Sequence, residues 1–138
     1  MGTAAKGLTL MRDYQRHKNN KYILPRAVWH KTLWEIRDYY RMTEEADNLL
    51  TASPSSDGTG RKGSVGDPTF AKASKRERLL KRIDAIDDAK ASIPAEYRKG
   101  VWENVMYGTR YPDDADRTTY ARRKSRFVFA VAVKLGYY

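Results

Sequence analysis

One stretch constrains this chain more than any other: residues 113–135, DDADRTTYARRKSRFVFAVAVKL. Its first half gathers Arg117, Arg122, Arg123, Lys124 and Arg126, and its second half, 127–133, has no polar side chain. The acidic residues at its start suit the positive end of a helix, and Asp116 or Thr118 can cap it. Gly136 is positioned to end it. The segment therefore reads as one helix, outward-facing and basic at its start and buried toward its end. The Val and Phe content of FVFAVAV also suits a strand, but continuity with a capped, Arg-rich start and the terminal Gly136 favour a helix.

The preceding chain supplies helices for it to pack on. Over 22–50, Pro25 suits the first helical position. Trp29, Leu33, Ile36 and Tyr40 recur at i, i+4, i+7 and i+11, one helical face. Trp34 and Tyr39 fall beside that stripe, where they either widen the core or contact a second subunit, the core reading being favoured. The Gly- and Ser-rich stretch 51–66, TASPSSDGTGRKGSVG, is a linker, because neither helix nor strand tolerates that composition. A second helix opens at Asp67-Pro68, with Asp67 as cap and Leu79, Ile83, Ile86 and Lys90 in register. The spacing predicts a long antiparallel hairpin across the linker. Its basic residues, Lys75, Arg76, Arg78, Lys81 and Arg82, are interspersed with acids and read as a solvated face. Pro94 then breaks the pattern and starts a short helix over 95–106, with Tyr97, Val101, Trp102 and Val105 on one side. Gly100 costs that helix up to about 1 kcal/mol relative to Ala, which close packing would explain. Gly108 ends it. The expected fold is all-α: a helical hairpin followed by a C-terminal helix-turn-helix-like unit. Residues 1–20 read as a flexible basic tail, with an arm lying along DNA phosphates as the alternative, and 21–138 as a single domain.

The composition narrows the partners. The net charge is +10, which points to anionic partners, with nucleic acid the commonest. The chain has no cysteine, so disulfides, thiolate metal sites and thiol catalysis are excluded. No apolar run reaches the roughly 18 residues of a membrane span, and no secretory h-region is seen. The expectation is a cytoplasmic protein without membrane contact. GTGRKGS lacks the spacing of a phosphate-binding loop and no apolar strand precedes it. His17 and His30 are isolated, and no Ser-His-Asp set is evident. The reading is a non-enzyme without cofactor or metal.

The basic half of 113–135 carries the functional reading. Thr119, Arg122, Arg123 and Arg126 lie at i, i+3, i+4 and i+7 and share one face. Tyr120, Phe127, Val131 and Leu135 share another, with Val128 beside them. A helix in the major groove of DNA needs this division. The expected DNA-binding residues are Arg117, Thr118, Thr119, Arg122, Arg123, Lys124 and Arg126. Phe129 and Val133, apolar beyond what one core face requires, are candidates for a homodimer contact. The helix over 95–106 would be the first of the unit, and 108–116, which contains Pro112, its turn.

From Ile93 on the sequence resembles phage transcriptional regulators of the RinA-like and ArpU-like type, likened to region 4 of sigma factors. Tyr97-Arg98-Lys99-Gly100-Val101-Trp102, Tyr111-Pro112, Asp114-Ala115-Asp116-Arg117 and Thr119-Tyr120 carry the resemblance. The basic run to Phe127 and Lys134-Leu135-Gly136-Tyr137 extend it, with Lys21-Tyr22-Ile23-Leu24-Pro25 and Gly66-Asp67-Pro68-Thr69 upstream. It implies a phage- or prophage-encoded activator of late or packaging genes in a bacterial host. It implies double-stranded promoter DNA and host RNA polymerase as partners. Two other readings compete: a packaging component similar to a small terminase subunit, and a protein-binding inhibitor of a nucleic-acid enzyme.

Overall fold

The computed structural model describes residues 13–51 and 68–138, and these are all-helical: α1 Arg26–Arg37, α2 Tyr39–Thr51, α3 Pro68–Ala91, α4 Ala95–Tyr107 and α5 Arg117–Lys134. Residues 52–67, with the expected linker and the Asp67 cap, and residues 1–12 of the expected tail lie outside the described residues. None of the described helices is long and apolar enough to cross a membrane.

Where the sequence suggests a single domain over 21–138, the chain divides into two compact units. One is Asp38–Asp84, and the other combines Met1–Arg37 with Ala85–Tyr138. The first border coincides with a break in the helix expected over 22–50: Asp38 lies in a turn between α1 and α2. That break resets the helical phase. Trp29, Leu33 and Ile36 are buried as the spacing predicts, but Tyr40, next in the same register, is half exposed, and Met42 and Ala46 are buried instead. Trp34 is 66% exposed rather than in the core, with the Arg37 guanidinium over its ring.

In the unit Asp38–Asp84, α2 and the first part of α3 run antiparallel. Lys75 pairs with Glu45 at 2.7 Å, the Arg76 guanidinium donates to the Ala46 carbonyl, and Arg82 reaches the Met42 sulfur. From Arg76 to Arg82 the contacts step from Ala46 back to Met42, the antiparallel sense of the expected hairpin. Leu79 and Ile83 are its buried α3 positions.

The other unit builds its core from α1, the end of α3, α4 and α5. Ile86, Ala89, Ile93, Val101, Trp102, Val105, Tyr120, Phe127, Val128 and Val131 are buried there with the α1 stripe. Complete burial of a Phe or Val side chain contributes about 1.5–3 kcal/mol. Arg98 closes the turn between α3 and α4 by donating to the carbonyls of Lys90, Ala91 and Ile93; the Lys90 carbonyl also accepts from Ile93 N–H. Lys90, at the end of the α3 stripe, lies with its ammonium 3.9 Å from the Trp102 ring centroid.

The stretch 108–116 between α4 and α5 is longer than a compact helix-turn-helix turn, and packing holds it in place. Gly108 takes the left-handed conformation, φ 72°, and its N–H donates to Asn104 O. Gly100 explains itself here: a Cβ on it would lie 2.7 Å from Tyr120 Cε1 and 2.8 Å from Pro112 Cδ. The missing side chain lets the Pro112 turn and the α5 tyrosine close onto α4. Tyr120 is stacked on Tyr111, with ring centroids 5.1 Å apart, and meets Tyr97 edge-on at 5.3 Å. Its hydroxyl donates to Asp114 at 2.6 Å. Burial, with the Asp114 carboxylate second, pushes the Tyr120 phenol up to about 12.

Helix α5 starts and ends close to where its sequence suggests. Asp116 occupies the cap position, but through its backbone: its carbonyl accepts from Thr119 and Tyr120 N–H, and its carboxylate makes no capping bond. At the other end Gly136 has φ 79°. Its N–H donates to Val133 O while Tyr137 N–H donates to Ala132 O, a Schellman closure.

Candidate functional site

The basic face of α5 borders an open groove of about 610 Å³. Its lining is Thr119, Arg122, Arg123 and Arg126 on one side and Asn19, Asn20, Lys21 and Tyr22 on the other. The four α5 residues are the i, i+3, i+4, i+7 set that the sequence places on one face. The opposite wall was invisible to that reasoning, because it comes from a segment read as the end of a tail and the start of a helix.

This second wall is a loop whose shape is set by side chains. Gln15 is buried; its amide donates to the Leu24 carbonyl at 2.9 Å and accepts from the Leu24 N–H at 2.8 Å. One side chain thus closes the loop 15–24 as a neighbouring strand would. Inside it, the Asn20 amide donates to Arg16 O and accepts from Tyr22 N–H. Asn19 has φ 51°, a left-handed conformation Asn adopts more readily than other non-glycine residues. Upstream, Trp29 Nε1 donates to Asp13 O, and the Asp13 carboxylate pairs with Arg37. The expected flexible tail ends at residue 20, yet residues 13–20 carry these contacts. The sequence did offer a signal: Asn19-Asn20 is turn chemistry.

Aromatic contacts join the two walls. Tyr22 meets Phe129 of α5 edge-on at 5.4 Å, and the Arg126 guanidinium lies 5.5 Å from the Tyr22 ring centroid. Lys21 approaches the same ring at 5.8 Å. Phe129 also packs on Tyr138 at 5.7 Å, so the apolar surplus assigned to a dimer contact at Phe129 is partly covered from within the chain and the residue is half-buried. Val133 is 47% exposed. Arg123 lies over the Tyr97 ring at 5.6 Å.

The remaining expected site residues separate. Arg117 is exposed and Thr118 half-buried, and neither lines the groove. Lys124 is corrected outright. It is 3% exposed, on the inner face of α5, and its ammonium donates to Asn104 Oδ1 at 2.8 Å. Asn104 in turn donates to Thr109 O. Lys124 thus ties α5 to α4 and to the turn after it. It follows Arg123 by one residue, and the helix turns that position inward, onto the stripe of Tyr120 and Phe127.

The electrostatics of the groove are one-sided. No carboxylate lines it. Among the described residues, Lys21, Arg122, Arg123 and Arg126 form no ion pair with an acid. Four cations without local compensation create a positive field that falls off over roughly 8–10 Å at physiological salt. Such a groove suits a ligand with several spaced negative charges. Among the described residues no group of three His, Cys, Asp or Glu could hold a metal. The Asp114 carboxylate is the acceptor for the Tyr120 hydroxyl. Comparison with family models, with curated proteins and with solved structures gives no match to this chain.

Proposed function

We propose that the chain is a DNA-binding transcriptional regulator of the phage type, acting on promoter DNA of late or packaging genes with host RNA polymerase as its protein partner. The carrying observation is the groove in which Thr119, Arg122, Arg123 and Arg126 stand free of acids on one helix face. Arginine can donate bidentately to guanine O6 and N7, and threonine bonds to either base type or to phosphate. The buried half of α5, from Phe127 to Ala132, supports the reading by anchoring the helix that presents those groups. The activating role and the polymerase contact rest on the resemblance to RinA-like and ArpU-like regulators alone.

Selection from a random-sequence duplex library tests the proposal. A sequence-specific regulator enriches a defined motif, and Arg122→Ala or Arg123→Ala lowers affinity for it while leaving the melting temperature in place. Flat enrichment, or variants that bind as tightly as the parent, would sink it.

A further inference from the structure

The loop 15–24 does more than fill space beside α5. It is closed by the buried Gln15 amide, braced by Asn20, and carries Lys21 and Tyr22 into the same groove as the α5 arginines. A loop with its backbone fixed in advance gives up little ordering entropy when it meets a ligand. Lys21 is exposed, and its ammonium has no acid partner among the described residues. Tyr22 is held from beneath by Phe129, and the Lys21 and Arg126 cations lie 5.8 and 5.5 Å from its ring centroid. A cation over a tyrosine face is attracted by the ring quadrupole, so the ring biases the rotamers of the long Arg126 side chain toward the groove.

We infer that the loop 15–24 is a second DNA-binding element, in which Lys21 contacts a backbone phosphate of double-stranded DNA and Tyr22 is the positioning residue for Arg126. The proposal rests on the DNA-binding reading of α5 and adds a partner wall to it. A helix in the major groove brings neighbouring protein close to the flanking phosphates, and phosphate contacts fix register without reading sequence. The separation of roles follows: α5 supplies the groups able to address bases, and the loop supplies affinity common to all sequences.

The test uses the full chain and fluorescent duplexes, one of the selected sequence and one scrambled, titrated over a range of salt concentrations. Lys21→Gln is expected to weaken binding to both duplexes alike, by about eightfold at 0.1 M salt, and to lower the salt slope by about 0.9, the signature of one phosphate contact. Tyr22→Leu should weaken binding and Tyr22→Phe should restore it. Adding Tyr22→Leu to Arg126→Ala should cost nothing more, because the ring acts through that arginine. If Tyr22→Leu lowers the melting temperature, Lys21→Gln, a change at an exposed side chain, decides the matter. Parent-like affinity and slope for Lys21→Gln, with Arg122→Ala still defective, would overturn the loop's role and leave the reading of α5 standing. A parent protein that binds neither duplex at low salt would overturn both.

Discussion

The cations of the unit Asp38–Asp84 and those of the α5 groove are the same residue types in opposite circumstances. Arg41 grips Asp38 and Glu45, and Lys75 takes the other oxygen of Glu45. Each partner feels it. Hydrogen bonding to Arg41 holds the Asp38 carboxyl below its ordinary range, Lys75 and then Arg41 do the same for Glu45, and the Arg41 guanidinium is held above its own. Those charges are neutralised where they stand. In the groove, Arg122, Arg123, Arg126 and Lys21 meet no acid among the described residues, and Arg123, Arg126 and Lys21 lie near tyrosine rings instead. A positive count along a sequence therefore says little until the acids have been placed. Lys75 finds its acid on the neighbouring helix, while the groove cations after Asp116 are left to find their counter-charge elsewhere.

The largest effect lies under the groove: Phe127→Ala removes a side chain that is 1% exposed and should cost about 3–5 kcal/mol, read by urea denaturation. DNA binding should fall with the fold, whereas Arg126→Ala, next to it on the outer side, should leave stability within about 0.5 kcal/mol. Equal stability losses from the two would erase the distinction between inner and outer faces of α5.

Smaller, and specific to alkaline conditions, is the contribution of Tyr120. Its phenol is pushed up to about 12 in the folded chain, against about 10 when unfolded. The protonated, neutral form is the one the folded state favours, so this stabilisation is complete below pH 10 and is lost as pH rises from about 10 to 12. At its limit the effect is roughly 2–3 kcal/mol. Tyr120→Phe should flatten that part of the pH profile. An unchanged alkaline profile would show that the hydroxyl does not carry it.

The smallest stability effects should come from the cations themselves, and there the two regions part in binding. Arg41→Ala breaks exposed ion pairs, which contribute little to stability, and should leave DNA affinity untouched. Arg122→Ala should leave the melting temperature alone yet weaken DNA binding about tenfold or more, as expected for loss of an interaction of about 1.4 kcal/mol. Similar DNA defects from both would mean that net charge alone attracts the nucleic acid.

Much of this molecule was legible in local pattern. The apolar stripes of α1, α3, α4 and α5, the stops at Gly108 and Gly136, and the close approach at Gly100 follow from helical spacing and backbone sterics. So does the face shared by Thr119, Arg122, Arg123 and Arg126. Other features were hidden because they depend on contacts distant in sequence. Lys124 belongs to a basic run, yet it lies four residues after Tyr120 and three before Phe127, on the buried stripe; its partner, Asn104 on another helix, is what the sequence does not report. Trp34 and Tyr40 looked like core residues. Asp38 interrupts the helix before the stripe reaches Tyr40, and Arg37, held by Asp13 and the Val105 carbonyl, lies over Trp34. The loop facing α5 is built by Gln15 and Asn20 reaching backbone groups up to nine residues away, and no periodicity reports such bonds.

The salt dependence of duplex binding tests the central claim most directly, measured for the parent chain, for Arg122→Ala/Arg123→Ala/Arg126→Ala, and for the charge-matched Arg41→Ala/Lys75→Ala/Arg82→Ala. Uncompensated groove cations predict that the first variant loses affinity and that its salt slope falls by at least about 0.9, while the second keeps the parent's slope. Equal slopes for the two variants would contradict the account.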